Sequence, residues 1–294
     1  MFKVFGSLFL FISLLGCSSI IGDNIVGDAQ NKAAAIAENT IDSIIPNSKT
    51  EVSISGVSKG KPKFDISNTT GFGESSDGNS INFLQSSFVS MGNRETINFG
   101  LGRRYLSDDE KYLFGVNSFF DIDPEHNHQR LSIGGEIKSS SIELTGNSYF
   151  GVTGWKTGAN GNTERVLDGY DIELGAQIPY IPAAKLYVKQ FQWNLYDATN
   201  LEGLTYSLKF ASPSNSGLSL EIGENDYKGS KTDQSFAKLT YSIPLGEKKQ
   251  STTMKIISDQ IFENESMKEN MLDKVRRQNT IVVQTKFTSS VGGI

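Results

Sequence analysis

Between Pro46 and Leu245 the chain alternates apolar and polar side chains in segments of roughly ten residues, divided by clusters of Gly, Asn, Asp and Ser. In "TINFGLGRRY", Ile97, Phe99 and Leu101 fall on one side and Asn98, Gly100, Gly102 and Arg104 on the other, because successive strand side chains point to opposite faces. "RLSIGGEIK" sets Leu131, Ile133 and Ile137 against Arg130, Ser132, Glu136 and Lys138. "GYDIELGAQI" sets Ile172 and Leu174 against Asp171 and Glu173. "LTYSLKF", "GLSLEIGE" and "AKLTYSIPL" repeat the pattern, with Lys209, Glu221 and Lys238 on the polar side. The spacing predicts about twelve strands, over 50–57, 61–71, 79–91, 95–105, 111–123, 128–139, 141–152, 165–179, 183–192, 203–212, 216–225 and 234–245.

Two architectures produce this period. A soluble barrel or sandwich hides its apolar face and shows the polar one to water. A transmembrane barrel inverts that arrangement. The polar face here mixes opposite charges with many small residues, which suits a crowded lumen better than a solvated sheet. Arg104, Asp121, Arg130, Glu136, Asp171, Glu173, Lys209, Glu221 and Lys238 are the charged residues expected on that inner face. They can line a pore or brace a threaded chain through ion pairs, and the sequence does not choose. Connector lengths agree with a membrane barrel that has one short-turn and one long-loop side. The longer connectors 153–165, 192–201 and 225–233 fall together, opposite the short ones at 139–141, 180–183 and 213–216; only 73–78 is long for its side.

The two ends differ from the middle. Lys3 and the apolar run Val4 to Gly16 read as a signal-peptide core, too short to cross a bilayer. The lone cysteine ends it in Leu14-Leu15-Gly16-Cys17, which resembles a bacterial lipobox, so Cys17 is the candidate lipidation site. A plain secretory signal is the alternative. Residues 18–48 form a leader with a short Ala-rich helix. After residue 246, Ile257, Ile261, Met267, Met271 and Val275 recur among charges, and a helix is expected over 247–279. The strand-like "NTIVVQTKF" then fills 280–294.

Composition narrows the chemistry. A net charge of −5, with no dense Lys/Arg run, argues against nucleic acid as a partner. Both histidines sit in "FFDIDPEHNHQR", where His126 and His128 neighbour Asp121, Asp123 and Glu125. Imidazole and carboxylate together can hold a metal. Here they lack helix or ribbon spacing, and Asp, Pro, His and Asn favour turns on conformational grounds alone. The expectation is a hairpin tip over Pro124 to His128, with Asp121 and Arg130 facing the lumen. No catalytic set, cofactor site or metal site is expected. Trp155, Trp193, Tyr149, Phe150, Phe191 and Tyr196 gather near strand ends, as an interfacial girdle or as ordinary packing.

Several runs together carry a family resemblance: "NRETINFGLGRRYL", "YLFGVNSFFDID", "RLSIGGEIKSS", "GNSYFGVTGWKT", "ERVLDGYDIELGAQIPYIP" and "DKVRRQNTIVVQTKF". In this order, the chain resembles the β-domain of inverse autotransporters, the intimin and invasin group. The resemblance implies an outer-membrane barrel of twelve strands over 49–246, with a periplasmic N-terminus. It also implies a periplasmic helix and a linker that threads the lumen toward a surface passenger. Outer-membrane lipid, the barrel-assembly machinery and periplasmic chaperones are the implied partners. Only 49 residues follow Leu245, fewer than half of the ~100 an immunoglobulin-like domain needs. The expected function is therefore a non-enzymatic translocator without a recognisable passenger, acting as a surface anchor or adhesin stub. A small-solute pore and a periplasmic β-rich lipoprotein are the alternatives. Metabolic labelling with palmitate checks the lipobox: incorporation is expected in the native chain and absent from Cys17→Ser.

Overall fold

The computed structural model describes residues 47–58, 61–196, 198–212, 217–229, 231–245 and 256–286. The expected signal segment, Cys17 and the leader helix lie outside the described residues. Twelve strands close into an antiparallel barrel. They are β1 (Ser48–Val57), β2 (Lys63–Phe72), β3 (Ser80–Met91), β4 (Arg94–Leu106), β5 (Leu113–Asp123), β6 (His128–Lys138) and β7 (Ile142–Gly151). After two short strands, β8 (Lys156–Thr157) and β9 (Thr163–Val166), the wall resumes. It continues with β10 (Asp168–Ile178), β11 (Ile181–Asn194), β12 (Leu201–Ala211), β13 (Leu218–Tyr227) and β14 (Gln234–Leu245). The last strand, β15 (Val283–Lys286), joins β9 and β8 in a small separate sheet.

Each wall strand lies within three residues of its expected span. Closure follows from β1, which pairs with both β2 and β14, so the barrel has no free edge. In a bilayer that is obligatory, since an unpaired edge would leave backbone N–H and C=O groups without partners. Among the described residues no helix is long and apolar enough to cross a membrane.

The faces are inverted relative to a soluble protein. Val116 points outward and is 65% exposed, while Asp121, five residues further along β5 and so on the opposite face, is fully buried. Leu101, Ile133 and Leu186 share the outer face with Val116. The interior is filled by cross-strand pairs of glycine and a large ring. Phe119 lies over Gly100, Phe83 over Gly102, Tyr187 over Gly175 and Phe191 over Gly203. A Cβ on Gly100 would sit 2.2 Å from the Phe119 ring, so the ring needs that position to be glycine.

The rim where β1 begins and β14 ends, here the near rim, has compact turns. Two share one design. Ser75 and Ser107 donate their hydroxyls to Asp77 and Asp109, and those carboxylates accept the amides of Asn79 and Lys111. The serine hydroxyl first, and the amide after it, hold both carboxyls below the usual carboxylate range. At the far rim β3 and β4 are joined by Gly92 and Asn93, and Gly92 supplies the positive φ of 68° that so short a hairpin requires.

Replacing Gly100 with Ala forces Phe119 aside and is expected to cost about 1–3 kcal/mol as overpacking. Gly56→Ala, whose Cβ would meet nothing within 4 Å, serves as the control. Thermal unfolding followed by heat-modifiable gel migration measures the difference.

Candidate functional site: a threaded lumen

Residues 256–286 begin beneath the near rim and climb through the barrel. Tyr180, at φ 64° in the turn between β10 and β11, donates its amide to the Ile261 carbonyl and accepts from Ser258. That φ is unfavourable for a bulky side chain, and the two bonds help to fix it. Met267 donates its amide to the Glu110 carbonyl, and Ser140 donates its hydroxyl to that of Glu263. Met267 and Met271 then bury against Ile81, Leu106 and Leu113, closing the near end with apolar contacts.

This stretch corrects the expected helix. In 256–286 the only helical piece is a single turn at Lys268–Asn270. The reason is that the wall supplies the hydrogen bonds a helix would have made internally. Gln85 accepts the Val275 amide, and the Tyr149 hydroxyl accepts that of Gln278. Arg104 donates to the Met271 carbonyl, Asn147 to that of Arg276 and Asn98 to that of Asn279. Arg130 donates to the carbonyls of Gln278 and Thr280, at 2.6 and 3.1 Å. An extended chain also rises about 3.3 Å per residue against 1.5 Å in a helix, so successive side chains reach successive levels of the wall.

Charges follow the same climb. Asp273 pairs with Lys49, and Lys274 with Asp65 at 2.7 Å. Arg276 binds Glu173 and Glu221 and lies 4.0 Å over the Tyr187 ring. Arg277 holds both oxygens of Asp121, at 2.9 and 2.7 Å, and donates to Ser132. Asp121 also accepts from Arg130 at 2.9 Å. Asn279 bridges Lys63 and Asp65. Both Arg277 and Asp121 are essentially dry, at 1% and 0% exposure.

Of the charged residues singled out from sequence, Arg104, Asp121, Arg130, Glu136, Asp171, Glu173 and Glu221 make ion pairs or hydrogen bonds in this interior. Arg104 pairs with Glu136 at 2.6 Å, and Glu136 also binds Lys138. Asp171 accepts from Asn147 and from the Tyr149 hydroxyl, both at 2.7 Å. Glu221 lies between Lys209 and Lys238 in the strand register. The side chains by which the threaded segment grips the wall, Arg276 and Arg277, carried no assigned role in the sequence. Their signal was a double arginine placed just before an uncharged run.

At the far rim the connector between β7 and β10 folds inward. Its β9 pairs with β15, from Val283↔Val166 to Lys286↔Thr163, and so clasps the emerging chain. Glu164 of β9 binds Arg94 at 2.5 Å, and Arg94 binds Asp123 at 2.7 Å. His128 corrects the expected hairpin tip: it is the first residue of β6, paired with Asp123 and fully buried. Its Nε2 lies 3.4 Å from Glu164, and its Nδ1 3.3 Å from Thr153. His126 stays in the turn against Asp123. Arg94 occupies the middle of these acids, where a cation would have to sit. Tyr149, Phe191 and Trp193 form no girdle; they cluster inside with Leu167, while Phe150 alone of that strand end faces out.

A model of the inverse autotransporter β-domain matches residues 19–279. The chain belongs to this family. Its relatives include intimin of Escherichia coli O127:H6, 31% identical over 136 residues that make up 40% of this chain and 14% of that protein. Invasin of Yersinia enterocolitica is 27% identical over 133 residues, 43% of this chain and 16% of that protein. The putative attaching and effacing protein homolog of Escherichia coli K12 is 30% identical over 113 residues, covering 37% and 38% respectively. The chain thus spans well under half the length of these relatives. A solved structure from work on in-meso crystallisation of membrane proteins superposes with a TM-score of 0.67, at 22% identity, over 81% of this chain and 99% of that one. The fold is that of an outer-membrane barrel.

Arg277→Ala removes one partner of a dry ion pair and is expected to destabilise by about 3 kcal/mol. Lys268→Ala, whose pair with Glu110 is solvated, should change stability by less than about 1 kcal/mol. Urea unfolding in micelles, followed by Trp193 fluorescence, compares them.

Proposed function

We propose that this barrel is the membrane anchor and exit path of an inverse autotransporter. In this reading the near rim faces the periplasm, and the polypeptide beyond Lys286 emerges at the cell surface. One observation carries it: a continuous segment, 271–286, runs up the lumen, held by wall side chains as far as Thr280 and by pairing with β9 from Val283. An accidental tail would not find complementary charge at four successive heights. The role is mechanical and asks no chemistry of the barrel. Its partners are outer-membrane lipid and, during biogenesis, barrel-assembly machinery and periplasmic chaperones.

One connector supports the sidedness: the far rim carries 152–167, which clasps the emerging chain, whereas the other connectors are of similar short length at both rims, and long outer loops are characteristic of such barrels. The relatives named as intimin, invasin and adhesin make a surface role in attachment the natural use of such an anchor. A solute pore has less support, because the space it needs is the space the segment occupies.

Planar-bilayer recording tests the anchor against the pore. The full chain should be silent, and a chain ending at Leu245 should conduct. Large conductance from both would overturn the plugged anchor. Epitope tags settle the sidedness independently: one in 195–200 should be stained on intact cells, and one in 107–112 only after permeabilisation.

A further inference from the structure

The outer wall carries a groove that the threaded lumen does not use. One register row crosses five adjacent strands as Arg103, Val116, Gly135, Gly146 and Ile172. All five lie on the outward face, and the two glycines pair directly. Between Val116 and Ile172 the wall is therefore bare backbone. The hollow measures about 640 Å³, within the range of about 300–1,000 Å³ typical of clefts that hold small molecules.

The two glycines answer to nothing inside the protein. Gly100 and Gly175 are required by rings at 2.2 and 2.4 Å, but a Cβ on Gly135 would come no nearer than 3.7 Å to any atom, and one on Gly146 no nearer than 4.0 Å. Both keep an ordinary strand conformation, so backbone does not demand them either. What their small size preserves is the hollow itself.

Arg103 stands at one end of it. This arginine is exposed on the face where its neighbours are Leu101 and Tyr105. Its hydrogen bond goes to the Ser80 hydroxyl at 3.1 Å, and among the described residues it pairs with no carboxylate. A guanidinium has five donors, and most remain available to an anion. A cation on the lipid-facing side is costly except near the interface. Counted from the near-rim strand ends, Arg103, Val116 and Gly135 lie three residues in, Gly146 four and Ile172 six. The hollow thus runs beside the near rim from a cation and deepens toward Ile172 as an apolar furrow. Tyr105, one step closer to the rim, lines it where tyrosines gather at headgroup level.

We propose that this groove is a binding site for a glycerophospholipid of the periplasmic leaflet, with an acyl chain over Gly135 and Gly146 and the phosphate on Arg103. The leaflet assignment rests on the orientation proposed above. The full chain, extracted in mild detergent and studied by native mass spectrometry, should retain one phospholipid. Gly146→Leu, which fills the furrow, and Arg103→Gln, which removes the cation, should each lower that occupancy about tenfold. Gly56→Leu, elsewhere on the outer wall, should not. Heat-modifiable migration shows that each variant is folded. No retained lipid in the native chain, or equal retention in Gly146→Leu, would overturn the site. So would a lipid-free dimer that Gly146→Leu dissociates. Retained lipopolysaccharide in place of phospholipid would overturn the ligand and the leaflet together, and the surface tags would then report independently on the orientation.

Discussion

An extended polypeptide inside a membrane must find partners for its backbone, and everything distinctive in this lumen follows from that need. Between 271 and 280 no helix is formed, so the bonds come from wall side chains. Arg104, Arg130, Asn98, Asn147, Gln85 and Tyr149 each hold a carbonyl or amide of the rising chain. These are long polar side chains at fixed strand positions. Their own charges must in turn be balanced, which accounts for Glu136 beside Arg104 and Asp121 beside Arg130. Acidic wall positions also receive the arginines of the threaded segment. A polar interior is therefore less a channel lining here than a second set of backbone partners.

The glycines serve two opposite purposes on the two faces. Inside, they let aromatic rings lie flat on the neighbouring strand, so the lumen is filled without excess width. Outside, Gly135 and Gly146 leave material out. The sheet tolerates both because ladder hydrogen bonds, rather than side chains, close the barrel.

Much of the barrel was legible in the sequence, since a period of two is hard to mistake over ten residues. The inverted polarity was legible too, from Arg, Asp and Glu sharing a face with glycine in "NFGLGRRY" and "DIELGAQI". The described part of the segment after the barrel, from residue 256, was misread as a helix; 247–255 lie outside the described residues. Its apolar residues 257, 261, 267, 271 and 275 recur at spacings that suit a helical stripe, yet Met267 and Met271 close the near end while Val275 packs on Phe83 and Phe119. Of the five, Ile257 and Ile261 are exposed, and for the three that are buried periodicity cannot say whether one neighbour or a surrounding wall buries them. His128 was hidden because the residue that covers it, Glu164 on β9, lies some thirty-six residues away in sequence.

Arg276 and Arg277 are adjacent, and in an extended chain adjacent side chains face opposite ways. One reaches Glu173 and Glu221 on β10 and β13; the other reaches Asp121 on β5, which lies across the ring from β13. A slip of one residue would send each arginine toward the wrong wall. A slip of two would bring Val275 or Asn279 into an acidic seat. Two consecutive arginines that need opposite walls at once therefore favour this register of the threaded segment over its neighbours.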